Sequence, residues 1–475
     1  LTNNYRALRR SKMVQEHAVR RRRLNEAQNG DVKQFKEKEK DPEFTPRESS
    51  LTVLIENSLH IRAIYHIFVA ILVILVLDTA IYDFVENGKI NLGISSVVHG
   101  FGDIRRGAKL WLYEFLVALM FYPGLIIYDK GYRVLKNTGL RHVWFWLGIA
   151  SLAALQGALV AVPVWDLGRK HLALGSSVTV TCEMFRLVMK IHAVAATCGP
   201  RCHHGAALPT FKQYLYFLFA PTLVYRDHYP RTKKTRWGVV ALHFMEVAAI
   251  IFYNSFLWER FILPYWSDYG KETSAVVRAM FACILPGLIS FLCGFYVLMH
   301  VWLNAFAEML TFADRMFYEE WWTSSQFSRY YRAWNRVVYS WLRDHIYKPL
   351  APRVGKVVAT LFVFMISAVA HEIILALSFG YFYPVLLMEF GVAGLLMVPL
   401  TAEGRRFPSA FNFAMWLCFF IGNGILWSLY PMEYFARKNC PPSENDSFFI
   451  PKSWSCPEII LRPNWTFQNP LDIIY

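Results

Sequence analysis

Three stretches of this chain contain no Lys, Arg, Asp or Glu at all: 142–165, 279–307 and 407–432, of 24, 29 and 26 residues. About 20 apolar residues in helical form cross the hydrocarbon of a bilayer. Reading the whole chain for such runs predicts spans near 62–84, 110–128, 142–165, 173–197, 237–257, 277–307, 357–380, 384–402 and 408–432. The expected fold class is therefore an all-α polytopic membrane protein with about nine transmembrane helices. The fourth span is interrupted by Glu183, Arg186 and Lys190, which must face protein or a cavity if the segment crosses the membrane. The sixth is longer than a bilayer needs, so it tilts or projects beyond it. No internal repeat is visible.

Composition agrees with the pattern. Charged residues make up 18% of the 475 and hydrophobic ones 55%, against about a quarter charged in soluble domains. Soluble, fibrous, collagenous and disordered classes are excluded. The net charge of +15 would suit a nucleic-acid binder, but its placement argues against one. Arg6, Arg9, Arg10, Lys12 and Arg20 to Arg23 crowd the first 23 residues against a single acid, Glu16. Residues 1–57 read as a basic, largely disordered cytoplasmic arm or one lying on anionic lipid. Residues 58–435 form the membrane domain and 436–475 a tail. The chain opens at Leu1 and reads as part of something longer, and 1–50 is too polar to hold a signal peptide.

With nine spans and a cytoplasmic arm, basic clusters such as Arg231 to Arg236 and the run from Arg315 to Lys356 fall on the cytoplasmic side. Arg105, Arg106 and Lys109 crowd one opposite loop. The C-terminal tail is then luminal. Cys440 and Cys456 lie in it, and an oxidising lumen favours a disulfide between them over two free thiols. Asn445-Asp446-Ser447 and Asn464-Trp465-Thr466 are glycosylation-type triplets there. The other six cysteines show no CxxC spacing, and Cys202-His203-His204 lacks ligands at metal spacing. No metal is expected.

An ionisable side chain within an apolar helix is costly, and His371 in VFMISAVAHEIILALSFGYF is the clearest case. Neutral imidazole accepts and returns a proton near neutral pH. Ser367 lies four residues earlier on the same helical face, and Glu372 beside the His suggests a polar cavity. The plain alternative is a His that only hydrogen-bonds a neighbouring helix. A second feature is 317–348, whose apolar positions Phe327, Tyr331, Trp334, Val338, Trp341 and Ile346 follow helical spacing. Arg329, Arg332, Arg336 and Arg343 fall on one side of that helix. An interfacial amphipathic helix and an arginine face for a phosphorylated cofactor explain the periodicity equally well. Asn335, an amide on a buried edge, needs a partner, while His228 and 231–236 read as solvated loop charge.

These segments resemble those of the membrane-bound O-acyltransferases (MBOAT), and within them the sterol O-acyltransferases. FLFAPTLVYRDHYPR (217–231) is similar to that branch's FLFAPTL-x-YRD-x-YPR, and AFAEMLTFADRMFYEEWW (305–322) to AFAEMLRFGDRMFY-x-DWWN. SAVAHEIILAL (367–377) resembles the segment that carries the family's catalytic His. The resemblance implies the MBOAT fold and an endoplasmic-reticulum enzyme that moves a fatty acyl group from acyl-CoA to a sterol hydroxyl. It implies His371 as general base, with Asn335 supporting catalysis as oxyanion donor or imidazole orienter, and Trp334 beside it. Arg332, Tyr347, Lys356 and Ser367 match positions lining the acyl-CoA path and the reacting centre, and Trp321 is counted with them as substrate-binding. Acyl-CoA is then a co-substrate, no cofactor is tightly bound, and dimers or tetramers are expected. The chain departs from the family at Glu320, at Thr323 where an Asn is usual, at Arg329 and at Tyr339, which puts loop anchoring and acyl-CoA handling in question. Rival readings are an MBOAT enzyme acting on diacylglycerol, retinol or a long-chain alcohol, and a catalytically silent lipid-binding or transport protein.

Overall fold

The computed structural model describes residues 44–90, 94–135, 137–266, 273–441 and 446–454. The chain divides between Pro46 and Arg47 into two units, and every helix named below belongs to the second. In order these are α1 (Ser50–Asn57), α2 (Leu59–Asn87), α3 (Ile94–Gly100), α4 (Ile104–Leu135), α5 (Arg141–Arg169), α6 (Leu174–His204), α7 (Phe211–Phe219) and α8 (Trp237–Phe261). α9 (Thr273–Phe295) runs on through a π-helical stretch, Tyr296–Trp302, into α10 (Leu303–Met309). Then come α11 (Phe327–Trp334), α12 (Arg336–Leu342), a π-helical Arg343–Tyr347, α13 (Lys348–Val354) and α14 (Lys356–Phe379). A third π-helical stretch, Leu387–Ala393, leads into α15 (Gly394–Leu400), and α16 (Pro408–Asn439) closes the series. Among the described residues there is no strand, only isolated bridges at Arg47–Asp314 and Arg231–Phe312.

Seven of these helical runs are long and apolar enough to cross a membrane: Leu59–Val85, Val97–Leu135, Arg141–Arg169, Trp237–Tyr265, Val276–Met309, Lys356–Phe379 and Pro408–Asn439. The expected fourth span falls on α6 and the expected eighth on the shorter apolar run Leu387–Leu400. Large apolar side chains such as Ile67, Phe68 and Ile74 on α2 point outward, as they must where the surroundings are lipid tails rather than water.

The charges that interrupt α6 face protein. Lys190 is buried and donates to the carbonyls of Phe217 and Ala220, at 2.5 and 2.7 Å. Arg186 donates to the Leu218 carbonyl and is clasped by Glu183 at 2.6 Å. Two cations thus close the carboxyl end of α7, where the carbonyls lack helical partners and the helix dipole is negative. The other end of α7 is closed by the Thr210–Gln213 capping box. Placement of FLFAPTL is therefore set from inside the membrane domain.

Glu308, fully buried at the end of α10, binds the loop after it. Its carboxylate accepts from the Arg236 backbone N–H and guanidinium at 2.8 to 2.9 Å and from Arg315. The backbone of 311–313 pairs with 230–232, and Arg47 forms a two-pronged bond to Asp314. Residues 47–50, read from the sequence as part of the charged arm, are thus tied to this region; residues 1–43 lie outside the described residues. Arg231 also stacks on Tyr216 at 4.0 Å, so the basic run 231–236 is more than solvated charge.

Glu308→Gln leaves the buried Arg315 without its closest counter-charge. A loss of about 3 kcal/mol or more is expected, read as a lower unfolding temperature of the purified protein in detergent. An unchanged temperature would show that Glu48, 3.8 Å from Arg315, suffices.

Candidate active site

α14 begins after Gly355, whose φ of 88° only glycine adopts easily, so the chain turns sharply out of α13. Sixteen positions into α14 stands His371. Its Nδ1 lies 2.7 Å from the Ser367 carbonyl. A carbonyl only accepts, so Nδ1 carries the proton and the neutral ring presents its lone pair at Nε2. Ser367 thus meets the ring through its backbone carbonyl. The residue is exposed, although many protein atoms lie around the ring. Phe390 meets it edge-on at 5.5 Å.

Glu372 does not join it. Its carboxylate is buried and accepts from the Tyr430 hydroxyl at 2.9 and 3.1 Å and from the Leu387 backbone at 3.0 Å. Adjacent residues on a helix point about 100° apart, so the acid faces α16 while the imidazole points away from it. Glu372 ties α14 to α16 and to the π-helical stretch that carries Phe390.

Tyr331 of α11 packs on Phe364 and Phe390 at 4.8 and 5.3 Å, which brings α11 up to α14 and to the ring that meets His371. A Cβ at Gly394 would lie 2.1 Å from the Tyr331 hydroxyl, so this approach requires glycine. Trp334 stacks on Phe291 at 4.6 Å and meets Trp321 at the same distance. Trp321, 2% exposed, also packs on Phe295, Trp416 and Phe419. Both tryptophans belong to one aromatic block between α9, α11 and α16, joined to Tyr331 through Tyr330.

The single helix expected across 327–346 is broken at Asn335, whose backbone is extended (φ −138°). Its side-chain oxygen accepts from the Val338 N–H at 3.0 Å and so caps α12. The amide finds its partner there, leaving the NH2 end to donate. Glu319 N–H to Ala333 and Arg336 N–H to Phe317 pin the break to the preceding loop. The break also divides the arginine row. Arg336 pairs with Glu319 and Arg343 with Asp344, while Arg332 is half-buried on α11. Tyr347 is half-buried in Arg343–Tyr347, and Lys356 is exposed at the start of α14. At 1.5 Å per residue Lys356 lies about 22 Å along the helix from His371.

Where the resemblance leads one to expect an Asn, Thr323 is exposed and bonds only the local Glu320 carbonyl, at 2.8 Å. The turn is anchored instead from α16: Asn412 donates to the Trp322 and Ser324 carbonyls at 2.9 and 2.7 Å, and Trp416 to Trp322 at 3.2 Å. The YRDHYPR segment is equally internal. Tyr229 accepts from Arg226 N–H and donates to the Val224 carbonyl, and Asp227 pairs with Arg201 at 2.8 Å. The Arg201 bond holds the Asp227 carboxyl below its usual range. Sequence reasoning missed Phe390, Tyr430 and the perpendicular His192–His345 pair, 5.3 Å apart, because only the fold brings them together.

Cys440 caps α16 and is disulfide-bonded; Cys456, its expected partner, lies outside the described residues, as do Asn445 and Asn464. Among the described residues no group of three or more His, Cys, Asp or Glu is placed to hold a metal ion.

Residues 137–431 match the MBOAT, membrane-bound O-acyltransferase family. Human sterol O-acyltransferase 2 is 38% identical over 427 residues, covering 87% of this chain and 80% of that protein. Mouse sterol O-acyltransferase 1 is 37% identical over 429 residues, 87% of this chain and 79% of its own. The chain belongs to the membrane-bound O-acyltransferase family.

Tyr430→Phe removes a hydroxyl donor from the buried Glu372 carboxylate. A destabilisation of about 1–3 kcal/mol is expected, measured by thermal unfolding of the solubilised protein. Wild-type stability would mean that Glu372 is sufficiently held by Leu387 alone.

Proposed function

We propose that this protein is a sterol O-acyltransferase, an acyl-CoA-dependent enzyme that esterifies a sterol hydroxyl with a long-chain fatty acid. The observation that carries the reading is an imidazole within the apolar helix α14, with one nitrogen held by a backbone carbonyl and the other left as a base. The likeness to proteins named sterol O-acyltransferase supports sterol as the acceptor.

An alcohol is a weak nucleophile until its proton is taken. His371 Nε2 accepts that proton as the sterol oxygen attacks the thioester carbonyl. The tetrahedral intermediate collapses, the C–S bond breaks, and the coenzyme A sulfur leaves, taking up the proton that the imidazolium returns. Ester and free thiol are the products, and the ring is restored. The Asn335 NH2 group donates to the developing oxyanion, a contribution of about 3 kcal/mol by comparison with other such donors. Arg332 and Lys356 receive the phosphates of acyl-CoA at the cytoplasmic face, and Tyr347 and Ser367 line its path. Trp334 and Trp321 support the wall along which the substrates lie. Low water activity around the site suppresses hydrolysis of the thioester.

The same reading places the enzyme in the endoplasmic-reticulum membrane, with nine spans, a cytoplasmic N-terminal side and a luminal C-terminal tail. There the oxidising compartment supports a Cys440–Cys456 bridge. A homodimer or homotetramer is expected, with no tightly bound cofactor.

His371→Ala should abolish transfer of labelled oleoyl-CoA to sterol while leaving the unfolding temperature near wild type; substantial residual ester formation by purified protein refutes the base role. The double variant Arg332→Ala, Lys356→Ala should raise KM for acyl-CoA more than KM for sterol. A panel with diacylglycerol, retinol and long-chain alcohols tests the acceptor class: preference for any of these overturns sterol.

A further inference from the structure

The ring that meets His371 is carried by a segment held to α14 at several points. Phe390 lies in the π-helical stretch Leu387–Ala393, and such local widenings of a helix recur at functional sites. At the start of the stretch the Leu387 N–H donates to the Glu372 carboxylate at 3.0 Å. One residue past Phe390, a Cβ built on Gly391 would stand 3.1 Å from the Ala368 Cβ, closer than ordinary van der Waals contact. Ala368 and Glu372 lie on either side of His371 in sequence and span about one turn of α14. The stretch is therefore seated on the turn that bears the imidazole. There the Phe390 ring meets His371 at 5.5 Å, with the two planes 68° apart.

The Ser367 carbonyl holds Nδ1, but a single hydrogen bond lets a ring swing about it. An aromatic neighbour set edge to face limits that swing, because such pairs favour a defined geometry. Phe390 also packs on Tyr331 of α11 at 5.3 Å, and Tyr331 meets Phe364 of α14 edge-on at 4.8 Å. Asn335 ends α11 four residues after Tyr331, about one turn further on. One ring thus contacts both the imidazole and the helix that leads to Asn335.

We propose that Phe390 is a positioning residue for acyl transfer: it fixes the plane of the His371 ring and, through Tyr331, sets α11 and Asn335 against α14. This rests on the base role of His371 given above and not on the identity of the acceptor. A general base must stand within hydrogen-bond reach of the proton it takes. A misplacement of about 1 Å can cost on the order of a hundredfold in rate.

The test uses the purified full-length chain, labelled oleoyl-CoA and the acceptor that wild type esterifies. Phe390→Leu keeps an apolar side chain but no ring. Its kcat should fall about tenfold or more, with KM for both substrates within about twofold of wild type and the unfolding temperature little changed. Phe390→Tyr, which keeps the ring, should retain most of kcat. Gly391→Ala leaves Phe390 itself intact but pushes its segment off Ala368, and should lower kcat in the same manner. Wild-type kcat in Phe390→Leu overturns the proposal, as does a loss confined to KM, which would make the ring a wall of the substrate path. An equal loss of kcat in Phe390→Tyr overturns it too. Should Phe390→Leu fail to fold, the other two variants decide: Gly391→Ala must lose kcat and Phe390→Tyr must keep it. If His371→Ala retains its turnover, the base reading falls and this proposal with it. An inactive His371→Ala beside a fully active Phe390→Leu overturns this proposal alone.

Discussion

An imidazole held away from water has two nitrogens to satisfy, and only one can be left free if the ring is to act as a base. The helix supplies the solution from its own backbone. A carbonyl four residues back takes the Nδ1 proton, a contact needing no second element and no further polar side chain in the bilayer. Glu372 and Tyr430 set the rotation of the helix against α16, and Glu372 also grips the backbone at Leu387. The polar neighbour of the histidine is thus a splint for it rather than a second reacting group.

Much of the frame is legible in the sequence because the membrane imposes a simple rule. Runs of 20 or more uncharged residues must be helices, since a single segment in lipid satisfies its own backbone in no other form, and the few charges inside them must turn inward. Lys190 and Arg186 obey that rule, and the chain they turn toward is FLFAPTL. His371 stands out for the same reason: it is a costly residue in a long apolar helix.

The stretch 317–348 shows where such reading stops. Apolar spacing from Phe327 to Ile346 fits one helix, and a periodicity argument cannot see a single extended residue inserted at Asn335. The break is decided by partners distant in sequence, the backbone of Phe317 and Glu319, and by an amide that caps the helix it begins. Thr323 teaches the same lesson in reverse. Losing the usual Asn suggested a loosened turn, but the two carbonyls are served by Asn412 from a helix almost ninety positions later. Hydrogen-bond demand belongs to a place in the fold, and the sequence does not say which residue meets it.

That distinction sorts the buried acids of this chain. A demand that is met from within the protein stabilises; one left unmet must be matched by something that comes and goes, or it is simply a cost. The buried carboxylates at 308, 372 and 433 belong to the first kind, since each ties together segments far apart in the chain. Glu114, with both carboxyl oxygens buried and unpartnered among the described residues, and Glu389, with one, belong to the second.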